Sequence, residues 1–210
     1  MVTQTGAYHH GDLRAALLAE AEAMIAEGGA AAVTMREIGR RLGVSRAAPY
    51  RHFEDKTALL VAVAAIGFER LKVRLESTDA DSPRSSVERV TRMGEEYVRF
   101  ALENPAHYRL MYGKDALARL DQPELREAAN ELYEHVVEVI EAHQRSGGIE
   151  RQDPRAQAYV AWAAVHGMAS LVIEGQILTP VDVDALIRLT TRTLLEGMRA
   201  RPAGEGAAGP

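Results

Sequence analysis

Apolar side chains recur along the chain at three- and four-residue intervals, so the sequence predicts helices almost throughout. From Asp12, Leu13, Leu17, Ala21, Met24 and Ile25 line one face of a first helix, which Gly28-Gly29 stops. Glycine takes up the left-handed terminal conformation at little cost. Thr34 and Glu37 have the spacing of a capping box, with the Thr34 hydroxyl accepting from the Glu37 amide and the Glu37 carboxylate reaching back to the Thr34 amide. This second helix runs through Ile38 and Leu42 to Gly43. Ser45 is a good N-cap for a short third helix, RAAPYRHF. Asp55 caps a fourth that carries Leu59, Leu60, Val63 and Phe68 towards Leu75.

A polar break at 77–85, STDADSPRS, separates this region from the next helix, which Ser85 and Glu88 cap and Val87, Val90, Tyr97 and Ala101 line. Asn104-Pro105 ends it, because the residue before proline disfavours helical geometry. A segment over about 105–120 follows, loosened near Gly113. Pro123 opens a long helix with Leu125, Ala129, Leu132, Val136, Val139 and His143 on one face, and Gly147-Gly148 closes it. Asp153-Pro154 opens a helix that is apolar nearly all round, expected to run to Thr179-Pro180 and to lie centrally or at a subunit interface. Its longest apolar stretch, Ala158 to Ile173, falls short of the ~20 residues of a membrane span. The last helix, about Val183 to Arg199, turns Leu186, Leu189, Thr193, Leu194, Gly197 and Met198 towards a partner. The fold class is all-α, with about nine helices. Residues 1–57 form a three-helix unit, 58–201 a larger helical domain, and 202–210 a disordered tail.

Charge changes the picture. The 210 residues carry a net charge of -5. Residues 34–56, however, hold Arg36, Arg40, Arg41, Arg46, Arg51 and Lys56 against only Glu37, Glu54 and Asp55. A basic island on an acidic body suits a binder of a polyanion, which needs only a local field. The absence of cysteine excludes a disulfide scaffold, a cysteine-ligated zinc and thiol catalysis. The N-terminus lacks the basic start and apolar core of a signal peptide, so a cytoplasmic protein is expected. GEGAAG at 204–209 matches a dinucleotide fingerprint in letters alone, with no strand before it or helix after it. No metalloprotease, P-loop or serine-hydrolase motif is found. Glu131 and His135, four apart, suit a solvated pair better than a metal site. No enzyme, cofactor or metal is therefore expected.

Residues 34–53, TMREIGRRLGVSRAAPYRHF, describe a helix-turn-helix: Gly43 for the tight turn, Val44 between the helices, Ser45 as cap. Ile38, Leu42 and Phe53 face inward, which leaves Arg46, Ala47, Ala48, Tyr50, Arg51 and His52 outward on the second element. Arg40, Arg41 and Arg51 also suit a solvated face.

These residues, with YHHGDLRAALL before them and EDKTALL after, resemble the TetR family of bacterial transcriptional regulators over about residues 8–60. The remainder is similar in layout, a helical ligand-binding and dimerisation domain. Its AWAAVHG segment, with Trp162, His166 and Gly167, resembles the signature of one subgroup. The resemblance implies that Thr34 and Arg36 meet phosphate or a base edge and that Arg46 is the principal base reader. It places Ala47 and Ala48 against base edges and Tyr50, His52 and Lys56 on phosphates, with Ser45 and Arg51 completing the DNA-facing set. Pro49 departs from the family's usual aliphatic residue; it forfeits one early helical bond and restricts Ala48.

In the larger domain Met93, Tyr97, Phe100, Tyr108, Met111, Tyr112, Trp162 and His166 are candidates to line a pocket for a small, mostly apolar ligand. For any single one of them, a plain hydrophobic core with satisfied polar tips is the favoured account. The expectation is a homodimeric repressor, released by that ligand from a palindromic double-stranded operator with half-sites ~34 Å apart. The alternative is an architectural DNA-bound protein whose helical domain holds another protein. No membrane partner is expected.

Overall fold

The structure, a computed structural model, describes residues 13–78, 87–113 and 121–199. It is all-α: α1 Leu13–Ala32, α2 Met35–Arg41, a 3-10 turn Pro49–Arg51, α3 Lys56–Ser77, α4 Val87–Glu103, α5 Pro105–Tyr112, α6 Pro123–Arg145, α7 Pro154–Ile173 and α8 Val183–Met198. The Ser85–Glu88 capping box, residues 79–86, the end of the 105–120 segment, His9-His10 and the tail lie outside the described residues.

Helix boundaries follow local chemistry. Gly29 breaks α1 at φ 72, ψ 178, a region essentially confined to glycine. The Asp55 carboxylate accepts from the Ala58 amide at 2.8 Å and starts α3. Asp153 accepts from the Arg155 amide at 2.9 Å and starts α7. That helix ends earlier than its composition suggests. At Gly175 the chain turns left-handed, and the Gly175 and Gln176 amides close on the Val172 and Leu171 carbonyls at 3.1 and 2.8 Å. Thr179-Pro180 is thus not the terminator. With the first turn from Pro154 included, α7 is 20 residues long and contains an 18-residue window of mean hydropathy 1.3, long and apolar enough to cross a membrane by length and composition alone.

The chain forms two compact units. The first comprises residues 1–67 with 106–126. Leu17, Ala21, Met24 and Ile25 of α1, Met35 and Ile38 of α2, Phe53, Leu59 and Val63 are buried there, as are Tyr108, Leu110 and Met111 of α5. Gly67 leaves room for Met111, whose sulfur would lie 2.8 Å from a Cβ at that position.

The second unit comprises residues 68–105 with 127–210. Here α4, α7 and α8 pack on one another. Val90, Met93, Tyr97 and Ala101 form the buried stripe of α4. Gly94 lets the three helices close up: a Cβ there would lie 2.9 Å from Thr191 Cγ2 and 3.4 Å from Val165 Cγ1. On α8 the buried face is Ile187, Thr191, Leu195 and Met198. Met198 therefore belongs to the inner face, one helical step beyond Leu195, and not to the partner-facing set expected for it. Leu189 is 55% exposed, as are Tyr159 and Val160 of α7 to a similar degree.

Candidate nucleic-acid interface

The site is built on two short elements of the first unit. Thr34, in extended conformation at φ -139, caps α2 by accepting from the Glu37 amide at 3.2 Å. The reciprocal half of the capping box does not form. The Glu37 carboxylate instead accepts from Arg40 at 2.8 and 2.6 Å and from Arg41 at 3.2 Å. Charge-assisted bonds to guanidinium outweigh a neutral amide. These two arginines, Arg40 first, hold Glu37 down to about 2 from an ordinary 4.5.

Gly43 at φ 67 turns the chain out of α2. The Val44 amide bonds the Gly39 carbonyl at 3.0 Å and the Gly43 amide the Arg40 carbonyl at 3.2 Å, a Schellman closure. The second element is not the α-helix expected from RAAPYRHF. It is a turn over residues 46–48 followed by the 3-10 turn Pro49–Arg51. Pro49 has no amide to give to the Ser45 carbonyl, which accepts from Ala48 at 3.0 Å instead. Ser45 therefore contributes its carbonyl, not a capping hydroxyl.

Thr34, Arg36, Ser45, Arg46, Ala47, Arg51 and His52 are all exposed, and Tyr50 is 54% exposed. Ala48 is 9% exposed and turned inward with Pro49, so the outward methyl of this pair is that of Ala47 alone. Lys56 is half-buried and donates to the Ala31 carbonyl at 3.3 Å. Of the basic island, Arg41 is clamped by Glu27, Glu37 and Glu20, which together raise its pKa, Glu27 most. Arg40 is held by Glu37. Among the described residues Arg36, Arg46 and Arg51 have no ion-pair partner, and like Tyr50 and His52 they are exposed. Neither Glu20 nor Glu27 carried any sequence signal of this role, since α1 reads simply as an amphipathic helix.

The candidate pocket residues divide between the units. Tyr108, Met111 and Tyr112 belong to the first, where the Tyr108 and Tyr112 ring centroids lie 5.0 Å apart with the planes tilted by 54°. Met93, Tyr97, Phe100, Trp162 and His166 belong to the second. There the Trp162 indole N–H donates to the Tyr97 hydroxyl at 3.0 Å, and that hydroxyl lies 3.2 Å from His166 Nδ1. Burial lowers the His166 pKa. The aromatic row continues from Trp162 to Tyr159 at 6.2 Å and on to Tyr133 at 4.8 Å. Tyr159 could have been found from its three-residue spacing to Trp162; Tyr133 arrives from another helix and could not. A shallow cleft of about 460 Å³ lies at the turn between α6 and α7, lined by Gln144–Gly147 and Ile149–Arg151 and by none of the candidate pocket residues. Lys72 donates to Glu131 at 2.8 Å.

Two family models match the chain. One, described as bacterial regulatory proteins, tetR family, covers residues 17–63; the other, described as tetracyclin repressor-like, C-terminal domain, covers 90–194. Among curated proteins the chain is similar to the nucleoid occlusion factor SlmA of Vibrio vulnificus, 29% identical over 108 residues, 51% of this chain and 54% of that one. It is also similar to SlmA of Vibrio cholerae, 28% identical over 120 residues, 57% of this chain and 60% of that one. The chain thus spans about half the length of the curated relatives it matches. Among solved structures, a protein of unknown function from Rhodococcus sp. RHA1 is 34% identical with a TM-score of 0.83, over 92% of this chain and 99% of that one. A TetR-family transcriptional regulator from Pectobacterium atrosepticum is 25% identical with a TM-score of 0.70, over 90% and 95%.

Proposed function

The chain belongs to the tetR family of bacterial regulatory proteins, and from that premise we propose that it is a homodimeric DNA-bound regulator whose helical unit acts on another protein. The observation that carries the DNA half is that Arg36, Arg46 and Arg51 of the helix-turn-helix are exposed and, among the described residues, without an ion-pair partner, as Tyr50 and His52 are exposed beside Arg51 in the chain. Arginine bridges guanine O6 and N7 bidentately, which makes Arg46 the candidate base reader. Thr34, Arg36, Ser45, Tyr50, Arg51, His52 and Lys56 serve register and affinity through phosphates, and Ala47 allows close approach.

The outer faces of α7 and α8, with Val160, Leu171 and Leu189, are the surface for a second copy. Two-fold symmetry then requires a near-palindromic site with half-sites ~34 Å apart. The protein-partner half draws on two points. The curated relatives are named nucleoid occlusion factors. In addition, the polar tips of Trp162, Tyr97 and His166 are turned on one another rather than left open to a ligand.

A second reading keeps the small, mostly apolar effector in the second unit. The half-buried state of Trp162 and His166, at the head of an aromatic row, favours it. Selection of DNA from a randomised duplex library at near-physiological salt tests the common core. Recovery of a palindrome that Arg46→Ala loses supports it, whereas sequence-blind, salt-sensitive retention would make the helix-turn-helix an electrostatic tether. Release of the selected DNA by an apolar small molecule, abolished in Trp162→Ala, would decide for the effector over the protein partner.

A further inference from the structure

We infer that Pro49, buried against Gly39, is the positioning residue that decides which bases this protein reads, although its ring is turned away from the exposed face. This rests on the DNA-binding reading above. In an α-helix capped by Ser45, the amide of residue 49 would close the first turn onto the Ser45 carbonyl. Pro49 has no such amide, and its ring would crowd that carbonyl. A three-residue spacing results, Ala48 N–H to Ser45 O at 3.0 Å and Arg51 N–H to Ala48 O at 3.2 Å, before the Pro49 carbonyl accepts from both the His52 and the Phe53 amides at 3.1 Å and the four-residue spacing returns. Each step through such a turn rotates the side chain by about 120°, against about 100° in an α-helix.

This difference selects the reading face. Ala48 and Pro49 go in, while Arg46, Ala47, Tyr50 and Arg51 stay out. The ring faces Gly39 of α2. A Cβ there would lie 3.5 Å from Pro49 Cγ and 3.7 Å from the Ser45 carbonyl oxygen, ordinary van der Waals contact. Both Pro49 and Gly39 are buried. The ring thus sets the orientation of the reading turn on α2 as well as its pitch, and through these the directions in which Arg46 and Tyr50 project.

The test is selection from a randomised duplex library by the full chain, its Arg46→Ala variant and two substitutions that restore the amide, Pro49→Ala and Pro49→Ile. Circular dichroism and melting curves accompany each. Pro49→Ile refills the buried site with an aliphatic group and carries the test if Pro49→Ala does not fold. The expected result is a folded variant with wild-type salt dependence whose preference changes by about tenfold or more at one or more base positions. A purely structural role for Pro49 would alter melting and overall affinity while leaving the base profile superimposable on that of the wild type, and that result overturns the inference. Should the wild type itself select no sequence, the DNA-reading proposal fails first. Should Arg46→Ala alter the profile while neither folded Pro49 variant does, only the inference falls.

Discussion

The Arg41 guanidinium lies 2.8 Å from the Glu27 carboxylate of α1 and reaches Glu20 of the same helix at 3.2 Å, while its Nε holds Glu37 of its own helix at 3.2 Å. A cation that adds to the basic island in sequence therefore works as a clamp between α1 and α2. The electrostatic face left for a polyanion is narrower than the charge count implies.

The clamp is acid-sensitive, with a defined sign. Glu37 is held at about 2 and Glu27 also below its ordinary 4.5, so their ionised forms stabilise the folded state above 4.5. That contribution is lost as the pH falls from 4.5 through about 2, where the folded protein too takes up the proton. Melting temperature recorded against pH should decline over this window, and less steeply in Glu37→Gln. Parallel curves would remove Glu37 from the clamp.

Free and clamped arginines should differ in salt dependence. Replacing Arg36 or Arg51 by alanine should reduce the slope of log affinity against log salt by about 1 for each phosphate that the side chain no longer neutralises. Arg41→Ala should leave the slope near the wild-type value while lowering the melting temperature. A salt series on a fixed duplex separates the two classes, and an equal drop in slope for all three would contradict the assignment.

Gly94 lies where a methyl group would meet Thr191 Cγ2 at 2.9 Å. Thr191 cannot swing aside freely, because its hydroxyl bonds the Ile187 and Arg188 carbonyls at 3.2 Å and its β-branch is stiff in a helix. Gly94→Ala should cost about 1–3 kcal/mol by overpacking, despite alanine's better helix propensity. Urea denaturation measures it; a stabilised variant would mean that α4, α7 and α8 do not approach so closely.

Trp162 is the single tryptophan of the chain, and so reports on its own hydrogen bond. Tyr97→Phe deletes the hydroxyl that accepts from the indole at 3.0 Å and faces His166 at 3.2 Å. Stability should drop by about 1 kcal/mol, with a shift in the tryptophan emission maximum. An unchanged spectrum would show that the indole nitrogen is bonded elsewhere in solution.

The outer faces of α7 and α8 carry Val160 at 57% and Leu189 at 55% exposure. Introducing charge there, as Val160→Glu with Leu189→Glu, should convert a dimer into a folded monomer and weaken binding to a palindromic duplex more than to a half-site. Sedimentation equilibrium reads the first effect; a wild type that is already monomeric would refute the dimer.

The starts of α2 and α3 and the end of α2 were legible because their chemistry is local. Thr34 accepts from an amide three residues on, Asp55 does the same for Ala58, and Gly43 turns the chain with bonds that span at most five residues. The class of fold, the helix-turn-helix and the exposed set from Arg36 to His52 follow from such short-range patterns and from the period of the apolar positions. Even locally a competition can go unread. The Glu37 carboxylate had a neutral amide and two guanidiniums within reach, and the charged donors took it.

The rest was decided by what distant segments bring. Glu27 and Glu20 lie fourteen and twenty-one residues from Arg41 in the chain, and no periodicity connects them. Tyr97 and Tyr108 are similar residues eleven apart, yet one belongs to the unit of α7 and α8 and the other to the unit of α1 and α2. Ala48 lies beside Ala47, yet one is buried with Pro49 and the other is exposed. Periodicity along one helix states which face is apolar. It cannot state which neighbour covers that face, because the partner is supplied by packing in three dimensions.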